Sequence, residues 1–356
     1  MPLTVLQVGA GGFGERWCQE FLPTNVRDGL IEVVGLTDKD PDALRKGQEL
    51  LGLPDSACFT DLAEAFQKTI ADFCTVVIPP AYHETVVDLA IARGFHILSE
   101  KPIANTIEAS ARIVRKVKAA GLKMAVTMSH RFDQDKQTLA DVVRSGHLGR
   151  LNMLSCRLSA DFRVWDNWRR FRHEMAHPLL IEGAVHHLDI LASLVDSPCK
   201  LVYATTWRPE WAAYAGDTDG VVVLTFENGV RAVFEGSVSA AVGVSDWYFE
   251  RIRADGSDAI AILDNRELEL FNRMDHRVRQ RGRSGQGQKS ALLPGTKWIN
   301  NLLIEKFVCW LSGGPQMETH AEANLASIAI MFAAVESSMR GEVVEMKDYL
   351  SRFAQE

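Results

Sequence analysis

The chain has no apolar stretch long enough to span a membrane, no paired cysteine motif, no excess of positive charge and no internal repeat. Each absence removes a class of function. A bilayer span needs about 20 consecutive apolar residues, so no membrane partner is expected. The six cysteines, Cys18, Cys58, Cys74, Cys156, Cys199 and Cys309, are scattered without a C-x-x-C pair. Neither a zinc ribbon nor a disulfide framework is expected, and reduced thiols in a cytoplasm are the simple account. With 46 acidic and 39 basic residues the net charge is −7, a balance that argues against a nucleic-acid partner. The N-terminus enters an apolar strand pattern directly, without the basic and apolar regions of a secretory leader, so a cytoplasmic location is expected. At 356 residues, 47% hydrophobic and 24% charged, the chain reads as globular and too long for one ordinary core, so two domains are expected.

What is present begins at once. Thr4–Val8 reads as a buried strand running into Gly9-Ala10-Gly11-Gly12-Phe13-Gly14, a G-x-G-x-x-G turn, with Glu15–Leu22 as the following helix. Gly9 permits the tight turn, Gly11 lets a pyrophosphate approach the backbone, and Gly14 lets helix and strand pack closely. The N–H groups of the helix start then face the phosphates. A second apolar run, Leu30–Leu36, leads to Asp38, 24 residues past Gly14, near the interval of about 20 at which an acidic side chain meets the adenosine ribose. Asp38 favours NAD, because a carboxylate repels a 2′-phosphate. Lys39 beside it weakens that preference and leaves NADP open.

Further strands at Phe73–Ile78, His96–Ser99 and Lys123–Met128 alternate with helices at 41–51, 61–68, His83–Arg93 and a capped helix opened by Asn105–Glu108. That alternation predicts a doubly wound α/β domain with a parallel sheet over 1–125. From 126 to 356 the pattern becomes α+β. A strand at Leu151–Leu158 and a helix at Pro178–Leu194 precede strands at Leu201–Thr206, Val221–Phe226, Val230–Val238, Trp247–Ala254, Ala259–Leu263 and Glu267–Phe271. Asn228-Gly229 is a strong hairpin signal, and short turns predict a mostly antiparallel sheet. The basic, glycine-rich stretch His276–Lys289 reads as a surface loop.

Two stretches carry candidate chemistry. Glu100-Lys101-Pro102 follows a parallel strand at the end where ligands sit in open α/β sheets, which would aim Lys101 at the cofactor; the alternative is a solvated lysine. On a helix, Glu182, His186 and Asp189 fall at i, i+4 and i+7 on one face, where a carboxylate orients an imidazole for acid–base work; the alternative is a buried docking cluster, as His187 is read. His173-Glu174-Met175-Ala176-His177 matches the zinc-peptidase H-E-x-x-H pattern. Pro178 disfavours a helical His177, and Leu180 and Gly183 break the longer metal motif, so no metal site is expected. Trp165, Trp168, Arg169, Arg170 and Arg172 read either as a substrate pocket or as a solvated basic turn.

These elements, in this order, resemble the Gfo/Idh/MocA oxidoreductases, which include glucose–fructose oxidoreductase and inositol dehydrogenases. The resemblance rests on Val8–Gly14, on Pro80 and His83, on Gly94–Pro102, on Trp168-Arg169 ahead of the 182–189 helix, and on Gly341-Glu342-Val343-Val344. It implies a Rossmann domain followed by a domain whose open sheet serves in homodimers or homotetramers. It also implies NAD(P)-dependent hydride transfer on a sugar, polyol or related small molecule such as a sugar acid. The implied cofactor residues are Gly9, Gly11, Gly12, Phe13, Gly14, Asp38, Pro80, His83, Glu100 and Lys101. Lys101 and His186 match the family's catalytic lysine and histidine. Glu182 stands where the family more often has Asp, and Ile78-Pro79-Pro80 departs from the commoner Thr-Pro. Trp168, Arg169 and Asp189 fall where substrate contacts are expected. A non-catalytic dinucleotide sensor of the same fold and a zinc hydrolase through His173 and His177 are the alternatives; retained Lys101 and His186 speak against the first.

Overall fold

Residues with branched apolar side chains and no breaker make β1 (Leu3–Val8), whose Val5, Leu6 and Val8 are almost wholly buried. In this computed structural model, which describes residues 1–163, 170–273 and 287–353, β1 sits inside a six-stranded parallel sheet. Its companions are β2 (Ile31–Thr37), β3 (Cys58–Phe59), β4 (Phe73–Val76), β5 (His96–Ser99) and β6 (Met124–Val126). The order is β3-β2-β1-β4-β5-β6, so the winding reverses between β1 and β4. In such sheets ligands sit at the carboxyl ends of the strands beside that switch point. The helix after the glycine turn runs from Phe13 to Arg27, past the expected end at Leu22. A π turn at Trp17–Phe21 ends two residues before Pro23 and widens the helix where that residue lacks an N–H. Thr106, rather than the expected Asn105, caps the helix Ile107–Ala119 by accepting from the Ala109 N–H.

The chain divides into two compact units, Met1–Ser129 with Lys297–Ala326, and His130–Thr296 with the residues from Ser327 onward. Against the expected division at 125/126, the segment Lys297–Ala326 therefore belongs with the N-terminal unit. The cause is packing within that unit. Phe307 meets Phe73 edge-on at 5.5 Å, Asn25 donates to Asn301 at 3.2 Å, and Lys123 donates to the Trp310 carbonyl at 2.7 Å. The Val126 N–H donates to the Thr319 carbonyl at 3.0 Å, which covers the open edge of β6.

The second unit is built on a nine-stranded sheet made of β7 (Leu151–Ser159), β8 (Cys199–Trp207), β9 (Asp219–Phe226), β10 (Arg231–Ser237), β11 (Arg251–Gly256), β12 (Ala259–Asp264), β13 (Glu267–Asn272), β14 (Gln288–Ser290) and β15 (Val344–Glu345). Its order is β14-β13-β12-β11-β7-β10-β9-β8-β15, with one parallel pair, β7 with β10. Along β9, Val222, Leu224 and Phe226 are buried while Val221, Val223 and Thr225 are half-buried, the period-2 pattern of a sheet covered on one face. Two expectations change here. The helix expected from Pro178 opens as a π turn at Leu179–Ala184 and becomes α-helical only over Val185–Ser193. The strand expected from Trp247 begins at Arg251, because Tyr248 adopts φ +70° and turns the backbone out of the ladder. No described helix is long and apolar enough to cross a membrane.

Candidate active site

In the first unit the site is made of backbone. Gly9 has φ +95°, and a Cβ there would lie 2.2 Å from the Val77 carbonyl oxygen; a Cβ on Gly14 would lie 2.5 Å from the Gly9 oxygen. Both positions exclude any side chain. Gly11 is different. A Cβ there would meet the protein only at 3.4 Å from Ala43 and 3.7 Å from Asp38, so the protein itself does not require glycine at that position. The space suits the approach of a phosphate, as the spacing predicts. Asp38 caps the turn, accepting from the Ala10 N–H at 2.7 Å and the Gly11 N–H at 3.0 Å, while its other oxygen accepts from Asp40. Buried Gln7 braces the turn from below by donating to the Gly9 carbonyl at 2.6 Å, and Thr75 donates to Gln7 in turn. Gly12 precedes the helix as its N-cap and Phe13 is its half-exposed first residue. This glycine cradle and its acid fit a dinucleotide.

At the carboxyl ends of β4 and β5 a second set gathers. His83 is fully buried with one ring nitrogen 2.8 Å from the Ile78 carbonyl and the other 3.0 Å from that of Ile103. It ties the turn before the half-buried Pro80 to the segment after the cis Lys101–Pro102 bond. Burial pushes its imidazole below the ordinary value. Glu100 accepts from the Trp17 indole at 3.0 Å and from Asn300 at 3.3 Å. Loss of water raises its carboxyl, and hydrogen bonds and the charge of Lys101 hold back the rise. Lys101 itself is half-buried. Gln7, Trp17 and Asn300 were not singled out in the sequence; Asn300 carries no signal at all, lying 200 residues from its partner.

In the second unit the site is made of buried side chains. His186 is 3% exposed, and its ring lies flat on that of His130, with centroids 4.2 Å apart and planes within 7°. Glu182, four residues earlier in the chain, is held in an ion pair. Arg172 donates to its carboxylate from Nε at 2.9 Å, with a second guanidinium nitrogen also at 2.9 Å. Asp189, expected at the substrate, is 2% exposed and occupied inside its own unit, accepting from Ser327 at 2.7 Å with Arg131 at 3.2 Å. Burial raises its carboxyl against the pull of Arg131. His187 is held by the Gly183 carbonyl and by Glu250. The H-E-x-x-H match dissolves: the helix Arg170–His173 stops at its first histidine, whose ring stacks on Tyr214 at 3.7 Å, so the two histidines share no helical turn. Trp165, Trp168, Arg169 and most of the basic loop lie outside the described residues.

The fold is shared with known proteins. Residues 3–128 match the oxidoreductase family with an NAD-binding Rossmann fold, and residues 137–261 match the GFO/IDH/MocA C-terminal domain. The chain is 57% identical over 353 residues to the uncharacterized protein y4oX of Sinorhizobium fredii, across 99% of this chain and 98% of that one. It is 27% identical over 240 residues to an inositol 2-dehydrogenase of Corynebacterium glutamicum, across 67% of this chain and 68% of that enzyme. Its backbone matches, with a TM-score of 0.84 and 20% identity, an oxidoreductase from Agrobacterium radiobacter in complex with NAD+, L-tartaric acid and magnesium, across 98% of this chain and 99% of that one. A dinucleotide turn on a 3-2-1-4-5-6 sheet, joined to this second unit, thus makes the chain a member of the Gfo/Idh/MocA oxidoreductases, a family with an NAD-binding Rossmann fold.

Proposed function

We propose that this oxidoreductase interconverts a secondary alcohol and a carbonyl on a sugar, polyol or sugar acid, with Lys101 and His186 acting on the reacting oxygen. The observation that supports the reading most is the glycine turn, where Gly11 leaves room that only a ligand needs. Gly9–Gly14 and Asp38 would hold the dinucleotide, Pro80, His83 and Glu100 would border its nicotinamide end, and bound NAD supplies the hydride acceptor. Lys101, at the carboxyl end of β5, offers a positive charge to the oxygen as it becomes an alkoxide, a preorganised electrostatic role. His186 takes the hydroxyl proton. The charge of Glu182 is matched by Arg172, so it bears on His186 as one half of an ion pair. Trp168 and Arg169 are assigned to substrate contact through the resemblance. The substrate class is that of the inositol-acting relative.

The test is a panel of polyols, aldoses and sugar acids with NAD, read by absorbance of reduced nicotinamide. At least one should turn over, and Lys101→Ala and His186→Ala should each lower kcat by about 10²-fold while NAD affinity stays put. Silence across the panel, or near-normal turnover in either variant, would sink the assignment.

The second unit also supports assembly into homodimers or homotetramers. Tyr203, Val223 and Val233 stand side by side in register on the face of the sheet away from the core. Tyr203 is 41% and neighbouring Trp207 48% exposed, an apolar surface that a second copy would cover. Light scattering that returned 39.5 kDa at micromolar concentration would refute this. All six cysteines are unpaired, which supports a reducing, cytoplasmic setting.

A further inference from the structure

Behind His186 the second unit buries more charge than the proposed chemistry uses. Glu250, Lys136, Asp135, His130 and His187 are each 2% exposed or less. One Glu250 oxygen lies 3.1 Å from each of three donors: His130 Nδ1, His187 Nε2 and the Tyr248 N–H. The other lies 2.9 Å from the Lys136 ammonium, which also contacts Asp135 at 3.0 Å and donates to the Tyr248 carbonyl at 2.8 Å. Burying such groups is costly unless they are paired and hydrogen-bonded, so the cluster must hold something in place.

His130, His187 and Glu250 have the spacing of a metal-ligand set. Lys136 argues against that use, because its ammonium already gives the carboxylate a positive partner at contact distance, and a metal ion would crowd a second cation onto it. The geometry points elsewhere. The His130 ring is gripped at one edge by Glu250 and stacks with two rings, His186 at 4.2 Å with planes within 7° and Tyr248 at 4.4 Å with a tilt of 30°, with Trp247 edge-on at 4.7 Å. The same carboxylate holds His187, the next residue after His186. Tyr248 is kept at φ +70°, rare for a residue with a Cβ, by Glu250 on its N–H and Lys136 on its carbonyl.

We propose that His130 is a positioning residue for His186: fixed by Glu250, its ring sets the plane in which the His186 imidazole presents its nitrogen to the substrate. This rests on the assignment of His186 as the proton acceptor. Burial pushes the His130 imidazole down to about 4, so at neutral pH the platform is uncharged and does not repel His186 when that ring takes a proton. Glu250 serves as the anchor. Burial alone would raise its carboxyl, but hydrogen bonds from His130 and His187 and the charge of Lys136 hold it well below the ordinary range.

Two substitutions separate a ring platform from a mere link in the polar cluster. His130→Asn keeps a donor for Glu250 and loses the ring. His130→Phe keeps the ring and loses the donor, leaving Glu250 with His187, the Tyr248 N–H and Lys136. In proton–carbon NMR of the uniformly labelled protein, with the His186 ring signal assigned by its loss in His186→Asn, the ring current of residue 130 should shift that signal upfield in wild type and His130→Phe, and not in His130→Asn. On the substrate returned by the NAD panel, His130→Asn should lose about tenfold in kcat with KM nearly unchanged, as misorientation of a reacting group does, and His130→Phe should stay within about threefold of wild type. The reverse order, or equal losses in both, would overturn the platform. If His186→Ala keeps its turnover while the NMR contrast holds, the catalytic assignment of His186 fails and the stacking survives.

Discussion

In the first unit the site is a glycine turn of backbone, partly exposed, whose Ala10 and Gly11 N–H groups are capped by one carboxylate, Asp38. In the second it is a set of side chains, His130, Lys136, His187 and Glu250, sealed from water and satisfying one another. The first arrangement depends on what is missing, since the absence of a Cβ at three positions creates the turn and the room beside it. The second depends on every member being present, because each buried charge is tolerable only beside its partner. A site of the first kind should fail through added atoms, one of the second kind through removed charge.

The largest effect should come from adding one carbon to the turn. Gly9→Ala places a methyl 2.2 Å from a carbonyl oxygen at φ +95°, costing about 2 kcal/mol or more from the backbone alone, and should lower the melting temperature and abolish measurable NAD binding. Gly11→Ala should leave the melting temperature unchanged and weaken NAD by about tenfold or more, roughly 1.4 kcal/mol. Equal melting losses in the two variants would show that Gly11 also serves the fold.

Removing a charge from the second site comes next. Lys136→Met strands Glu250 and Asp135 and should cost about 3–5 kcal/mol in denaturant unfolding. The pH dependence has a definite sign. The His130 pKa is lowered from 6.5 to about 4, so its neutral form stabilises the fold fully above pH 6.5, and that contribution fades as pH falls towards 4. Glu250, held low, contributes above the ordinary carboxylate range and loses that contribution as pH falls through its own depressed value. The melting temperature should therefore fall between pH 6.5 and 4, and His130→Phe should flatten the upper part of that slope. A flat wild-type profile over this range would contradict the burial of a neutral His130.

The smallest effect is at Asp38, whose carboxylate caps the turn and, on the proposed reading, repels a 2′-phosphate. Asp38→Ser should narrow the preference for NAD over NADP by a few-fold, about 1 kcal/mol, in fluorescence titrations of each dinucleotide. Tighter NADP binding in the wild type would mean that Lys39 outweighs the acid.

The same contrast explains what could be read from residues alone. Glycine spacing records backbone conformation directly, so Gly9, Gly11, Gly14 and Asp38 announce their turn, and the strand–helix alternation around them announces the parallel sheet. The buried cluster leaves no such trace. Asp135 and Lys136 stand out in no motif, Trp247–Glu250 read as strand, and Glu250 lies 120 residues from His130. The i, i+4 pairing of Glu182 with His186 presumed an α-helix where the chain forms a π turn, and Arg172 takes the carboxylate. His186 stands out by helical spacing, and its proposed role comes from the resemblance.

The return of Lys297–Ala326 to the first unit bears on how the chain comes off the ribosome. The dinucleotide turn is made within the first fifteen residues, yet the helix that covers Phe73 and supplies Asn300 to Glu100 is synthesised nearly 300 residues later. Until then the nascent N-terminal unit exposes apolar surface and the open edge of β6, both prone to sticking to other chains. A fragment cut at residue 129 should need a solubilising partner, whereas a fusion of 1–129 to 297–326 through a short linker carries its own cover.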